Sequence, residues 1–148
     1  MNLIFRKLDE TNPSDIGQFN ELMDDLTHHA DNQELLKEKI RRMNSREDAY
    51  LMVAEDTDTG RLCGSVLAIV FDDFCDDCKP LMLIENVVTH HDYQHMGVGR
   101  RMFAEIEAWG KAHDVNYASL CSSMSREGAH KFYHAIGYKE VKGFKKFL

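Results

Sequence analysis

The sequence predicts an α/β (α+β) chain, with a mixed, mostly antiparallel sheet of about seven strands and helices on both faces. Three observations predict it. The apolar runs Tyr50–Glu55 and Arg61–Phe71 flank a turn rich in Asp, Thr and Gly, which reads as an antiparallel hairpin. From Leu81 onward, strand-like runs alternate with amphipathic helical patterns, the signature of β-α-β crossovers. Four segments place apolar residues at helical spacing.

In chain order, Asn2–Leu8 reads as a first strand. Asn12-Pro13 is a helix start, a cap residue followed by proline at the first helical position. Ile16, Phe19, Leu22, Met23 and Leu26 follow on one face. A second helix runs from Gln33 to Met43, with Leu35, Leu36, Ile40 and Met43 together. After the hairpin comes an acidic loop, Asp72–Pro80, and then Leu81–Thr89, apolar enough to be a central strand covered on both sides. Val98, Met102, Phe103, Ile106 and Trp109 mark a helix over Gly97–His113. Val115–Cys121 is a strand. Ser125 is placed to cap a helix over Arg126–Ile136, and Gly137 sits where a C-terminal glycine belongs. Tyr138–Val141 and Phe144–Leu148 read as short closing strands.

The length of 148 residues, with no internal repeat, linker or low-complexity tract, reads as a single domain over residues 1–148. The net charge of −7 argues against a nucleic-acid or anionic-membrane binder, which needs positive charge to meet phosphates, and mildly favours cationic partners. No apolar run approaches the ~18–20 residues that span a bilayer, and Met1–Arg6 begins as a strand with no signal-peptide pattern, so a cytoplasmic protein is expected. Without a secretion signal, Cys63, Cys75, Cys78 and Cys121 do not demand disulfides.

The most specific local signal is Gln94-His95-Met96-Gly97-Val98-Gly99-Arg100-Arg101, between a strand and a helix start. Backbone N–H groups at a helix start lack intrahelical partners, and the helix dipole favours an anion there. Arg100 and Arg101 oppose that dipole, which an anion would compensate. A third glycine and a G-K-[ST] loop are both missing, so neither a dinucleotide fingerprint nor a Walker loop is present.

This segment, the preceding Glu85-Asn86-Val87-Val88-Thr89 and the later Ala129-His130-Lys131-Phe132-Tyr133-His134-Ala135-Ile136-Gly137-Tyr138 together resemble the GNAT superfamily of acyl-CoA-dependent N-acetyltransferases. The resemblance implies the GNAT fold over nearly the whole chain. It also implies an N-acetyltransferase moving an acetyl group from acetyl-CoA to a primary amine of a small cationic molecule by direct attack. Gln94, His95, Met96, Gly97, Val98, Gly99 and Arg100 would hold the pyrophosphate of coenzyme A. The backbone of Val87, Val88 and Thr89, in a strand splayed from its neighbour, would pair with the pantetheine arm. One N–H, that of Val88 or its neighbour, would polarise the thioester carbonyl. Tyr133 would protonate the departing thiolate; the alternative is a core aromatic with its hydroxyl satisfied by backbone. Arg126 stands where relatives often carry a cofactor-contacting asparagine and would contact the cofactor. The alternatives are a non-catalytic acyl-CoA-binding module and a protein N-acetyltransferase. A homodimer is a family-level expectation, and no nucleic acid, membrane or metal is expected.

Glu85 carries a reading of its own. A carboxylate in an apolar run costs free energy unless it is paired or at work, so it is either a general base or an edge-facing or ion-paired carboxylate, with Arg126 as the candidate partner. Asp72, Asp73, Asp76 and Asp77 read as a solvated loop or an attractor of cations, and Cys75-x-x-Cys78 as two ordinary loop thiols. His130 and His134 share a helix face but lack further ligands for a metal.

Overall fold

A computed structural model describes residues 1–148. Its elements run β1 (Leu3–Lys7), α1 (Pro13–Leu26), α2 (Gln33–Asn44), β2 (Ala49–Asp56), β3 (Arg61–Phe71), β4 (Leu81–Thr89), α3 (Val98–Ala112), β5 (Ala118–Leu120) and α4 (Glu127–Ala135). The sheet keeps sequence order, β1-β2-β3-β4-β5. The first three pairings are antiparallel and β4–β5 is parallel. A parallel neighbour needs a crossover, and α3 supplies it.

Local chemistry accounts for the element starts. The Asn12 side chain accepts the Ser14 N–H at 3.0 Å with Pro13 at the first helical position, and Asn32 caps α2 through the Leu35 N–H at 3.0 Å. The β2–β3 turn closes with Gly60 at φ +70°, its N–H donating to the Asp56 carbonyl at 2.8 Å.

The sheet separates two apolar clusters. On one face Ile16, Phe19 and Leu22 of α1 and Ile40 of α2 cover Leu51, Val53, Leu62 and Val88. On the other, Val98, Met102, Phe103 and Ile106 of α3 cover Met52, Val66, Met82 and Ile84, with Phe132, Tyr133 and Ile136 of α4 packed at the margin. Strand side chains alternate between faces, so a strand covered on both reads as continuously apolar. No helix is long and apolar enough to cross a membrane.

Three expectations are corrected. There are five strands rather than about seven, because Tyr138–Val141 and Phe144–Leu148 form no ladder. Val141, Phe144 and Phe147 are 82–90% exposed and fall three positions apart, not at the two-residue period of a strand, so they line no sheet face. The expected strand over Val115–Cys121 shrinks to Ala118–Leu120 because β4 offers it partners only from Met82 to Ile84: Val115–Tyr117 lie before the paired part of β4, and only Cys121 is lost where the strands part. The residue before α4 is Arg126, not Ser125, whose hydroxyl meets that of Ser123 at 3.1 Å.

One buried charge fastens α1 to the sheet. Asp15 is 2% exposed and receives Arg6 through Nη1 at 2.6 Å and Nη2 at 2.9 Å, while Arg6 Nε donates to Glu55 at 2.7 Å. The bond to Asp15, and then that to Glu55, hold the Arg6 guanidinium's pKa above its ordinary value. Arg6→Met would leave the Asp15 carboxylate buried without its partner. Urea unfolding of that variant is expected to show a loss of about 3 kcal/mol, near the low end for a broken buried pair because water reaches the Arg6 side.

Candidate functional site

β4 pairs with β5 at only three positions, Met82 with Ala118, Leu83 with Ser119 and Ile84 with Leu120. Beyond them β4 continues to Thr89 without its neighbour. An extra residue in β4 turns it. On β3, Leu67 faces Glu85 and Ser65 faces Val88, so a step of two residues on β3 matches a step of three on β4. Asn86, at φ +50°, takes the left-handed conformation that this bulge needs and that asparagine tolerates better than most residues. The result is a wedge that opens at the carboxyl ends of two parallel strands, where ligands of α/β sheets bind.

The polar groups facing the wedge follow from strand alternation. His90 N–H donates to the Cys63 carbonyl at 3.0 Å, so His90 and Val88 turn their backbone groups toward β3. Val87 and Thr89 turn theirs the other way, toward the wedge. Of Val88 and its neighbours, then, the neighbours own the outward N–H groups. The Val88 side chain is 5% exposed in the α1–α2 cluster, and Val87 packs against the α3–α4 cluster.

The start of α3 lies at the end of the same strand. Gly97 is its left-handed first residue, φ +83°, and caps nothing with a side chain. The first helical bond is Arg101 N–H to the Gly97 carbonyl at 3.2 Å. The N–H groups of Val98, Gly99 and Arg100 therefore have no intrahelical acceptor, and the first turn holds no acidic side chain. Gly99 serves packing: an added Cβ would sit 3.3 Å from Phe132 and 3.7 Å from Thr89 Oγ1. Gln94 Nε2 reaches the Thr89 carbonyl at 3.4 Å, His95 is exposed at φ +62°, and Met96 is half-exposed. The two arginines part company. Arg100 lines a groove of about 430 Å³ between α3 and α4, with Phe103, Glu107 and Ile136. Arg101 turns to β1, where Nη2 donates to the Leu3 carbonyl at 3.3 Å over the Phe5 ring. Of the two arginines whose charge opposes the α3 dipole, Arg101 is thus engaged at β1, and Arg100 is exposed.

Tyr133 is half-buried, its ring against Phe103 and Phe132 at centroid distances of 5.7 and 5.5 Å. Burial raises its phenol pKa above the ordinary value, Arg126 works against that rise and Glu85 adds to it. The charges of β4 and of the α4 start thus meet at one phenol. Glu85 is exposed. Its place in an apolar run costs no desolvation, because β4 leaves β5 there and water reaches the side chain. Arg126 is not its ion-pair partner. The guanidinium Nη2 donates to the Leu26 carbonyl at the end of α1, bridging elements from the two faces of the sheet across the wedge.

Other clusters lie apart. The Asp72–Pro80 loop precedes β4, ~13 Å along the strand from Glu85, and Lys79 ties it to Asp114 at 3.3 Å. Cys75 and Cys78 share nothing with His90, His91 or His95, which lie at the other end of β4. His130 bonds the Ser123 carbonyl at 2.9 Å and His134 bonds Glu140 at 3.0 Å, so that pair forms no common site. Two carboxylate–imidazole groups, Asp24 with His28 and His29, and Asp25 with His90 and His91, meet at the end of α1. In the second, the Arg61 guanidinium lies 2.9 Å from His90 Nε2 and opposes a cation. Sequence reading missed the Asn86 bulge, whose signal was a strand-poor, left-hand-tolerant residue inside an apolar strand.

Comparison with known proteins places these features in a family. The acetyltransferase (GNAT) family model matches residues 16–138. Comparison with curated protein sequences finds no match. Among solved structures, an acetyltransferase from Trypanosoma brucei is 22% identical with a TM-score of 0.82, covering 99% of both chains. Glucosamine-6-phosphate N-acetyltransferase from Arabidopsis thaliana is 20% identical with a TM-score of 0.84, again over 99% of both. An aminoglycoside N-acetyltransferase in complex with CoA is 15% identical with a TM-score of 0.81, covering 99% of this chain and 94% of that one. With the family model spanning most of its length and this fold around the wedge, the chain belongs to the GNAT acetyltransferase family.

Proposed function

We propose that the protein transfers an acetyl group from acetyl-CoA to a primary amine of a small cationic molecule, by direct attack of the amine on the thioester. The observation that carries this reading is the β4–β5 wedge ending at the uncapped start of α3. The similar aminoglycoside acetyltransferase was solved with CoA, and the glucosamine-6-phosphate enzyme likewise names a small-molecule amine.

The chain's own groups fit such a substrate. The free N–H groups of Val98, Gly99 and Arg100, the left-handed Gly97 and the exposed Arg100 side chain suit a pyrophosphate, with Gln94, His95 and Met96 forming the approach. The outward backbone of Val87 and Thr89 suits the pantetheine arm as an added strand. One of those two N–H groups is placed to hold the thioester oxygen as charge develops on it. Glu85, in water at the wedge, takes the proton that an ammonium must lose before attack. Tyr133 returns a proton to the departing thiolate. Burial disfavours thiolate and phenolate alike, so the phenol remains a matched donor although its own pKa is raised. Arg126 enters through its charge on Tyr133 and its bond to Leu26 rather than through a phosphate.

A coenzyme-A-release assay across grouped amines tests the reading. Turnover with small polycationic amines supports it; turnover only with peptide amines points to a protein N-acetyltransferase, and binding without release to a non-catalytic module. Tyr133→Phe is expected to lower kcat by ~10²-fold while leaving acetyl-CoA affinity unchanged, and undiminished turnover removes Tyr133 from the mechanism. The donor must be protonated and its pKa is raised, so Tyr133 should impose no basic limb on kcat below about pH 10. A Tyr133-dependent fall near neutral pH contradicts the assignment. Gly97→Val is expected to abolish the rise in melting temperature that acetyl-CoA produces in the wild type, since valine is strained at φ +83° and relieving that strain displaces the turn that presents the N–H groups.

A further inference from the structure

The loop between β3 and β4 takes no part in the wedge and carries two thiols three positions apart. Cys75 and Cys78 are both exposed and free. Cys78 N–H donates to the Cys75 carbonyl at 2.9 Å. That bond closes a turn, and such a turn holds its end Cα atoms within about 7 Å. A disulfide needs Cα separations of about 4.4–6.8 Å, so the fold presents the pair near bonding distance. Asp76, Asp77 and Cys78 all have left-handed backbone, φ 43°, 64° and 55°. Aspartate tolerates that region, whereas cysteine gains nothing from it by itself.

Neither remaining thiol is placed to close a ring with this pair, although Cys121 is also exposed. Cys63 is buried, its Sγ against the Ala54 carbonyl at 3.2 Å, and burial pushes its pKa up to about 11. Cys121 follows β5, at the diverging end of the strands and away from this loop.

We propose that Cys75 and Cys78 form a reversible intramolecular disulfide by exchange with a small cationic disulfide of the cystamine class. The charge of the loop sets the preference. Asp72, Asp73, Asp76 and Asp77 surround the pair, and the nearby cation, Lys79, is engaged by Asp114. Such a field draws a cationic disulfide and repels an anionic one such as oxidised glutathione. The thiolate of one cysteine attacks a cystamine sulfur; that S–S bond breaks and cysteamine leaves as a thiolate that takes up a proton. The second cysteine, having lost its own proton, attacks the protein-side sulfur of the mixed disulfide and expels the second cysteamine. Two protein thiols are oxidised, one cystamine is reduced, and the two protons leave on two cysteamines. Neither thiol enters the proposed acetyl transfer, so this inference stands or falls without it.

The test treats the full chain with cystamine and, separately, with oxidised glutathione at low salt. In a Cys121→Ser background, which removes the third exposed thiol, cystamine is expected to remove two hydrogens from the intact mass, with peptide mapping joining Cys75 to Cys78, and dithiothreitol restores both thiols. It should react at least ~10-fold faster than oxidised glutathione, with the ratio falling as salt is added. Chymotryptic cleavage at Phe74, which is 87% exposed, should slow in the oxidised chain. Cys75→Ser should instead keep cysteamine on Cys78 as a stable adduct. Persistent cysteamine adducts on both wild-type thiols, or a bond joining two chains, overturn the ring. Equal rates with the two oxidants overturn the cationic preference.

Discussion

One extra residue in β4 governs the rest of the candidate site. Had β4 run in register from Leu81 to Thr89, its backbone would have remained available to β5 along its whole length, and the parallel pair would have closed. The bulge at Asn86 turns the strand while it still holds β3 on the other side. β3 therefore acts as the fixed rail, and the loss of pairing falls entirely on β5. A row of polar backbone groups is left open in a central part of the sheet, where they need an occupant or water. The same turn brings Glu85 into solvent and delivers Thr89 beside the start of α3.

Charge around the wedge is arranged by opposition. The α3 start has free N–H groups and no carboxylate in its first turn, and one of its two arginines is drawn off to β1. Arg100 is left as the exposed cation beside an electropositive helix end, an arrangement that an anion would relieve. At Tyr133, burial first and then the carboxylate of Glu85 raise the phenol's pKa, while the guanidinium of Arg126 opposes them. Arg126 is itself anchored on the negative end of α1. That anchor joins helices from the two faces of the sheet, which otherwise meet only through the strands.

Much of the fold was legible because it rests on local periodicity. β3 and β4 occupy the residues that alternation and turn chemistry assign to them, and α1 and α2 start at their asparagine caps. The closing strands failed because Val141, Phe144 and Phe147 recur every three residues rather than every two, and no sheet face meets them. Ser125 failed as a cap because its hydroxyl found Ser123 closer. At the site, the glycine turn was legible from backbone chemistry alone. The fates of Glu85, Arg101 and Arg126 were not, because each depends on a partner, or the lack of one, far away in sequence.

The sequence by itself determined the helices, the hairpin, the two apolar faces and the glycine turn before α3, since each is encoded within a few neighbouring residues. Only the tertiary structure decided where β4 leaves β5, which of Val87, Val88 and Thr89 points its N–H into the wedge, and which arginine remains free. Those outcomes turn on register, and register is a relation between strands. A shift of a single residue along β4 exchanges every inward and outward group, and no window of the sequence contains both partners of that relation.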